Sequence, residues 1–140
     1  MRRCVVRHVT EKRKKILVVE DNAMNKILVR EILTLHGYEV VEAGSGKEAL
    51  RAMDEHAPDM VLMDLHLPGM DGLAATRAIK ADNRFSAIPI IALTASAMKG
   101  DEEYFLSQGF DGYLAKPVSV KTLVDVAAGY LKKGVKDREP

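Results

Sequence analysis

Residues 58–72 read Pro-Asp-Met-Val-Leu-Met-Asp-Leu-His-Leu-Pro-Gly-Met-Asp-Gly, and they give the clearest indication of the fold. An apolar run from Met60 to Met63 ends in an acid, Asp64, and a turn signal, Pro68-Gly69, follows closely. The pattern predicts that Asp64 lies where a buried strand meets a loop. In open α/β sheets, ligands bind outside the carboxyl ends of the strands. Asp64 is therefore a candidate for chemistry.

The rest of the chain predicts a regular alternation of strands and helices. The predicted strands are Ile16–Val19, Tyr38–Val41, Met60–Met63, Ile88–Leu93 and Gly112–Ala115. Apolar residues at helical spacing mark the first helix (Ile27, Leu28, Ile32, Leu33, Leu35), the second (Ala49, Leu50, Met53) and the last (Val120, Leu123, Val124, Ala127, Leu131). Residues 71–79 and 97–108 supply the third and fourth. Short connections between five strands and five helices predict a parallel sheet covered on both faces, with the strand order left open.

Local signals place several helix ends. Gly37 closes the first helix as a C′ residue, and Ser45 with Glu48 three residues later forms a capping-box pattern for the second. The fourth helix is rich in acids and is expected to be the least buried and most mobile. Lys132 to Pro140 reads as a frayed polar tail.

Length and composition favour one globular domain. The chain has 140 residues, of which 47% are hydrophobic, enough for a single well-buried core. Its apolar runs are far shorter than the roughly 20 residues that span a bilayer, and its start lacks the apolar segment of a secretory signal. The single cysteine, Cys4, cannot form an internal disulfide, so a cytoplasmic location is expected.

The first 15 residues form a basic arm. They hold seven of the 21 Lys and Arg against one acid, a net charge of +6 in a chain whose total is +1. Attachment to nucleic acid or anionic lipid is one interpretation. A solvated tail is favoured, because the arm lacks aromatic residues for base stacking.

Polar residues follow four of the predicted strands, at one edge of one sheet. They are Glu20 and Asp21, then Asp64, Thr94 and Lys116. Carboxylates within about 4–6 Å repel by a few kcal/mol per pair at an effective dielectric near 20, so the cluster calls for a cation. Oxygen ligands with an incomplete protein shell suit Mg²⁺. An aspartate in such a pocket can act as nucleophile toward a phosphoryl group, with the metal, Lys116 and Thr94 neutralising charge.

Each residue also has an ordinary structural interpretation. Asp21 or Asn22 could cap the first helix, Thr94 the fourth, and Lys116 could be a surface lysine. A half-buried strand tyrosine such as Tyr113 is ordinary packing. The agreement of these residues in sheet position favours the functional interpretation over the separate ones.

Four motifs stand at the predicted strand ends: Glu20-Asp21, Asp64 with Leu-Pro-Gly-Met-Asp-Gly at residues 67–72, Leu93-Thr94-Ala95, and Lys116-Pro117. Together they resemble the receiver domain of two-component response regulators. The resemblance covers about residues 15–133, leaving the arm at 1–14 and a tail at 134–140. It implies a flavodoxin-like (βα)5 three-layer sandwich with sheet order 2-1-3-4-5.

The same resemblance implies roles for single residues. Asp64 would be the phosphoacceptor, while Glu20, Asp21, Asp64 and the backbone carbonyl of His66 would hold Mg²⁺. Thr94 and Lys116 would contact the phosphoryl group, and Tyr113 would be the aromatic switch residue. The Lys116-Pro117 bond would be cis.

The resemblance further implies a phosphorylation switch in a two-component phosphorelay. The phosphoryl donor would be a phosphohistidine on a sensor histidine kinase or a histidine phosphotransfer protein, and the protein would promote only its own phosphorylation and dephosphorylation. A downstream protein partner would bind the face formed by the fourth helix, fifth strand and last helix. Too few residues follow Leu131 for a DNA-binding domain, so nucleic acid is not an expected target of the core domain.

Three other interpretations stay open at this point. The chain could be a receiver cut from a hybrid histidine kinase, passing phosphate to a phosphotransfer domain. An aspartate-nucleophile phosphatase is more remote, because it requires Asp-x-Asp where this chain has Glu20-Asp21-Asn22. A flavin-binding electron carrier shares the sheet order but needs a phosphate loop rich in Ser and Thr after the first strand.

Overall fold

The computed structural model describes residues 13–65, 72–95 and 101–138, without the side chains of residues 101, 102 and 132–138. The strands are β1 (Lys15–Val19), β2 (Glu39–Ala43), β3 (Met60–Asp64), β4 (Ile90–Thr94) and β5 (Gly112–Ala115). The helices are α1 (Ala23–Leu35), α2 (Gly46–His56), α3 (Gly72–Ala81), α4 (Asp101–Ser107) and α5 (Val120–Arg138). None of the helices in these described ranges combines the length and apolar character needed to cross a bilayer.

The strands form one parallel sheet in the order β2-β1-β3-β4-β5. All four strand pairings are parallel, so every carboxyl end lies at the same edge of the sheet. The predicted alternation and the order implied by the resemblance are both confirmed.

The two faces of the sheet carry separate cores. On one face α2, α3 and α4 pack over strand residues such as Val61 and Ala92. On the other, α1 and α5 pack over residues such as Leu62 and Leu93. Successive strand residues alternate between these cores, so the central strands β3 and β4 are buried along their whole length.

Helix ends follow the sequence signals. The backbone N–H of Glu48 donates to Ser45 Oγ over 3.2 Å, as a capping box requires. The Glu48 carboxylate accepts instead from the N–H of Gly44, over 2.7 Å, one residue before the expected partner. Gly37 follows α1 with φ of +90°, a left-handed conformation that glycine adopts without the penalty of a Cβ.

The prediction of which apolar residues of α1 face the sheet was wrong in part. Of the apolar residues that mark α1, Ile32 and Leu33 are buried with Val29, whereas Ile27, Leu28 and Leu35 are 44%, 45% and 81% exposed. Met24 is also exposed. Because α1 carries apolar residues on more than one side, periodicity did not determine which side faces the sheet.

Some boundaries also differ from the predictions. β2 begins at Glu39 and continues to Ala43, and β4 begins at Ile90, after Pro89, whose carbonyl accepts from the N–H of Val61. The last helix continues to Arg138, so most of the predicted frayed tail is helical. Lysine has high helix propensity, and no proline interrupts this segment before Pro140.

Candidate functional site

Three carboxylates meet at the carboxyl edge of the sheet. Glu20 and Asp21 follow β1, Asp64 ends β3, and one oxygen from each lies within 4.8 Å of those of the others. Glu20 and Asp64 are each 1% exposed, whereas Asp21 faces solvent. The cluster is thus buried on the side of Glu20 and Asp64 and open to solvent on the side of Asp21.

Lys116 supplies the balancing charge. Its Nζ lies 3.1 Å from Asp64 Oδ2 and 3.2 Å from Glu20 Oε1, and its side chain is 19% exposed. It follows β5 directly, with its backbone N–H donating to the carbonyl of Thr94 over 2.8 Å. Lys116 is therefore a member of the pocket, and the surface-lysine interpretation is wrong.

The environment changes the pKa of both Glu20 and Lys116. Burial, the hydrogen bond with Asp64 and the negative charge of Asp64 raise the pKa of Glu20 against the opposing effect of Lys116. Burial opposes the charged form of Lys116, but its hydrogen bond to Asp64 and the charges of Glu20 and Asp64 outweigh this, so the pKa of Lys116 is raised. The pocket carries more negative charge than its single lysine balances.

Asn22, and not Asp21, caps the first helix. Its side chain accepts from the N–H of Asn25 over 3.0 Å, at the start of α1. Its own N–H donates to Glu20 Oε2 over 3.3 Å, which helps to orient that carboxylate. Asp21 is left to face the pocket opening.

Thr94 and Tyr113 occupy the same side of the sheet on neighbouring strands. Thr94 is the last residue of β4 and is 2% exposed. Its capping interpretation depends on residues 96–100, which lie outside the described residues, and stays open. Tyr113 is half-buried on β5, in register with Ala92. The Lys116-Pro117 peptide bond is cis, as the resemblance implied.

Gly72 is a residue of the site that the sequence did not single out. A Cβ built on Gly72 would collide with the backbone carbonyl oxygen of Asp64 and lie 3.0 Å from the Cα of Leu65. The first turn of α3 therefore approaches the backbone of Asp64 more closely than any other residue type allows. The sequence signal was the glycine that ends the Leu-Pro-Gly-Met-Asp-Gly motif, at the expected start of a helix.

His66 lies outside the described residues, as does the rest of segment 66–71. The predicted contribution of its backbone carbonyl to a metal site stays a prediction. Asp71, Pro68 and Gly69 share that status.

The donor set fits a hard divalent cation. Three carboxylates at one point are all oxygen donors, and the exposed position of Asp21 leaves room for water ligands. Such a set is typical of Mg²⁺ and unlike the nitrogen and sulfur ligands typical of zinc.

Sequence comparison now gives the family. The sequence model of the response regulator receiver domain matches residues 16–128. This chain belongs to that family. A curated member, the polar-differentiation response regulator DivK of Brucella ovis, is 43% identical over 118 residues, which cover 84% of this chain and 96% of DivK.

Solved receiver domains agree in fold. The receiver domain of sensor histidine kinase PA1611 from Pseudomonas aeruginosa, solved with magnesium coordinated in its active site cleft, is 39% identical, with a TM-score of 0.78 and coverage of 85% of this chain and 98% of that one. The chemotaxis protein CheY4 of Vibrio cholerae is 28% identical, with a TM-score of 0.80 and coverage of 86% and 100%. The fold is that of a flavodoxin-like receiver domain of a two-component system.

Proposed function

We propose that Asp64 accepts a phosphoryl group from a phosphohistidine on a sensor histidine kinase or a histidine phosphotransfer protein. The observation that carries this proposal is the position of the Asp64 carboxylate, which is buried at a strand end, 3.1 Å from Lys116 Nζ and grouped with two further acids. A carboxylate that only formed a turn would need neither the lysine nor the acids.

Each pocket residue has a role in this transfer. A carboxylate oxygen of Asp64 attacks phosphorus, the phosphorus–nitrogen bond to the donor breaks, and the electron pair leaves with the imidazole. Lys116 neutralises charge on a phosphoryl oxygen, and the hydroxyl of Thr94 donates to another. Glu20, Asp21, Asp64 and the backbone carbonyl of His66 would hold Mg²⁺, which when bound offsets the negative charge of the acids and the phosphoryl group.

The result is a switch with no turnover of an external substrate. Water hydrolyses the acyl phosphate and returns Asp64 to its free form. Phosphorylation draws Thr94 toward the phosphoryl group and lets Tyr113 move, which changes the face formed by α4, β5 and α5 where a downstream protein binds. The cytoplasmic location expected from the sequence stays a prediction.

Exposed apolar residues beside the pocket support a protein donor. Met24 is 75% exposed in the first turn of α1, and Ile27 and Leu28 follow it on the same helix. Large apolar side chains exposed together are typical of protein contact surfaces. A helical donor domain could bury them while presenting its phosphohistidine to Asp64.

The comparisons support two settings for this switch. Similarity to DivK favours a separate response regulator, and similarity to the PA1611 receiver domain favours a receiver within a hybrid histidine kinase that passes phosphate to a phosphotransfer domain. The pocket chemistry is the same in both.

Incubation with acetyl phosphate, with Mg²⁺ or with EDTA, tests the proposal. We expect intact mass spectrometry to show one added phosphoryl group that depends on Mg²⁺ and is removed by hydroxylamine, as an acyl phosphate is. Asp64→Asn should abolish it. Asp54→Asn, which removes an exposed carboxylate on α2, should leave it unchanged. Undiminished labelling of Asp64→Asn would exclude Asp64 as the acceptor.

A further inference from the structure

Among the side chains of α4 that the structure describes, one aromatic residue is buried against the domain. Phe105 is 4% exposed, whereas the other described side chains of α4, at positions 103, 104, 106 and 107, are exposed. Over residues 103–107 this is the one buried side chain of α4. The packing partners of Phe105 therefore help to set the position of α4.

Phe105 packs against Tyr113. The two ring centroids are 5.6 Å apart with the planes inclined at 47°. Phe105 also meets the ring of Phe110 edge-on at 6.0 Å, and Tyr104 at 5.7 Å. These distances fall in the range of favourable aromatic pairs, so the ring of Phe105 links α4 to β5.

The strand register places a small residue beside Tyr113 on β4. The residue in register with Tyr113 on β4 is Ala92, whose side chain is a single methyl group. Thr94 lies two residues further along β4, on the same side of the sheet by strand alternation. A shift of Thr94 therefore changes the space on the face where the Tyr113 ring lies, and that ring is in contact with Phe105.

We propose that Phe105 is a positioning residue that couples Tyr113 to α4. When the pocket is phosphorylated, movement of the Tyr113 ring shifts Phe105, and α4 moves with it because no other described side chain of the helix is buried. The surface that changes includes Tyr104 and Leu106, each 48% exposed. This inference rests on the proposed function and adds the link between the pocket and the exposed surface of α4.

The physical reason is close packing. Interiors are packed as densely as organic crystals, so a ring in contact with another cannot move alone. Leucine at position 105 would keep a buried apolar side chain but lose the aromatic ring that contacts the Tyr113 ring. The helix would stay folded while its response to the pocket weakened.

Amide NMR spectra with and without beryllofluoride and Mg²⁺ test the coupling. In the unaltered protein we expect shifts at Thr94 and Lys116, at Tyr113, and at Tyr104 and Leu106. In Phe105→Leu the shifts at Thr94 and Lys116 should persist and those at Tyr104 and Leu106 should be lost. The matched control is Phe85→Leu, which shortens a phenylalanine of the same core that is 7% exposed. In Phe85→Leu the shifts at Tyr104 and Leu106, which report the response of α4, should be retained.

The outcomes separate this inference from the proposed function. Absence of shifts at Thr94 and Lys116 in the unaltered protein would overturn the proposed function and the coupling with it. Shifts there, together with an undiminished α4 response in Phe105→Leu, would overturn the coupling alone. If Phe105→Leu does not fold, Phe105→Met replaces it: loss of the α4 response with pocket shifts intact supports the coupling, and retention overturns it.

Discussion

At the scale of single residues, Thr76 presents an uncompensated polar group. It is 0% exposed on α3, and its Oγ1 is a buried side-chain atom without a hydrogen-bond partner in the described part of the protein. Its Cγ2 lies 3.7 Å from the position that a Cβ on Gly109 would occupy, so the side chain is packed against the turn after α4.

Replacing this hydroxyl by a methyl group should stabilise the protein. We expect Thr76→Val to raise the free energy of unfolding by about 1 kcal/mol, because a buried hydroxyl without a partner costs roughly 1–3 kcal/mol. Urea unfolding measures the change. Thr34→Val, at an exposed position of α1, should shift stability by less than about 0.5 kcal/mol. A loss of stability in Thr76→Val would mean that the hydroxyl has a partner in solution.

At the scale of elements, Asp111 joins four segments at the edge of the sheet opposite the pocket. Its Oδ2 accepts from the N–H of Ile90 over 2.8 Å and from Lys80 Nζ over 3.0 Å. Lys80 also donates to the carbonyl of Ile88 over 2.8 Å, and the hydroxyl of Tyr130 donates to the carbonyl of Asp111 over 2.8 Å. A Cβ on Gly112 would lie 2.9 Å from that hydroxyl, so glycine permits this approach.

Loss of the Asp111 side chain should destabilise the protein, because its hydrogen bonds connect these segments. We expect Asp111→Ala to lower the free energy of unfolding by about 1–2 kcal/mol, since it leaves the N–H of Ile90 without its side-chain acceptor and removes the carboxylate that pairs with Lys80. Asp125→Ala breaks an exposed pair with Lys121 within α5 and should cost less than about 0.5 kcal/mol. Thermal and urea unfolding compare the two. Equal effects would show that the hydrogen bonds of Asp111 contribute no more to stability than a surface ion pair does.

The elements also show what sequence patterns can and cannot predict. Buried parallel strands are apolar runs in the sequence, so β1 and β3 were located within one residue. The shorter β5, of which only Leu114 is buried, was located at the same residues as predicted. The predicted strand ends also placed Glu20, Asp64 and Lys116 at one edge of the sheet, where the structure has them. The exposed side of α1 was not predictable, because its apolar residues surround much of the helix and only packing selects a face. Gly72 and Phe105 were missed for a related reason: their close contacts, with Asp64 and Tyr113, bridge the turn between a helix and a strand, and no periodic pattern specifies such a contact.

At the scale of the whole molecule, the charge of the pocket should make the free energy of unfolding depend on pH and on the proposed Mg²⁺. Burial, together with the hydrogen bond and charge of Asp64, raises the pKa of Glu20 above its ordinary value of 4.5. Above pH 4.5 the unfolded chain releases this proton while the folded protein still holds it. The folded state therefore binds more protons, and stability falls as pH rises from 4.5 through the folded pKa of Glu20.

Glu20→Gln should remove this dependence, because the amide keeps the shape of the side chain and does not ionise. In EDTA we expect the variant to gain stability relative to the unaltered protein as pH rises from 4.5 to neutrality. Adding Mg²⁺ should reverse the order, since a ligand that binds only the folded state stabilises it by RT ln(1 + [L]/Kd) and the variant lacks one of the carboxylates proposed to hold the metal. Urea unfolding across this pH range, with and without Mg²⁺, measures both effects. A stability difference independent of pH in EDTA would show that Glu20 ionises in the folded pocket as it does in the unfolded chain, and that Lys116 alone suffices to hold two buried carboxylates.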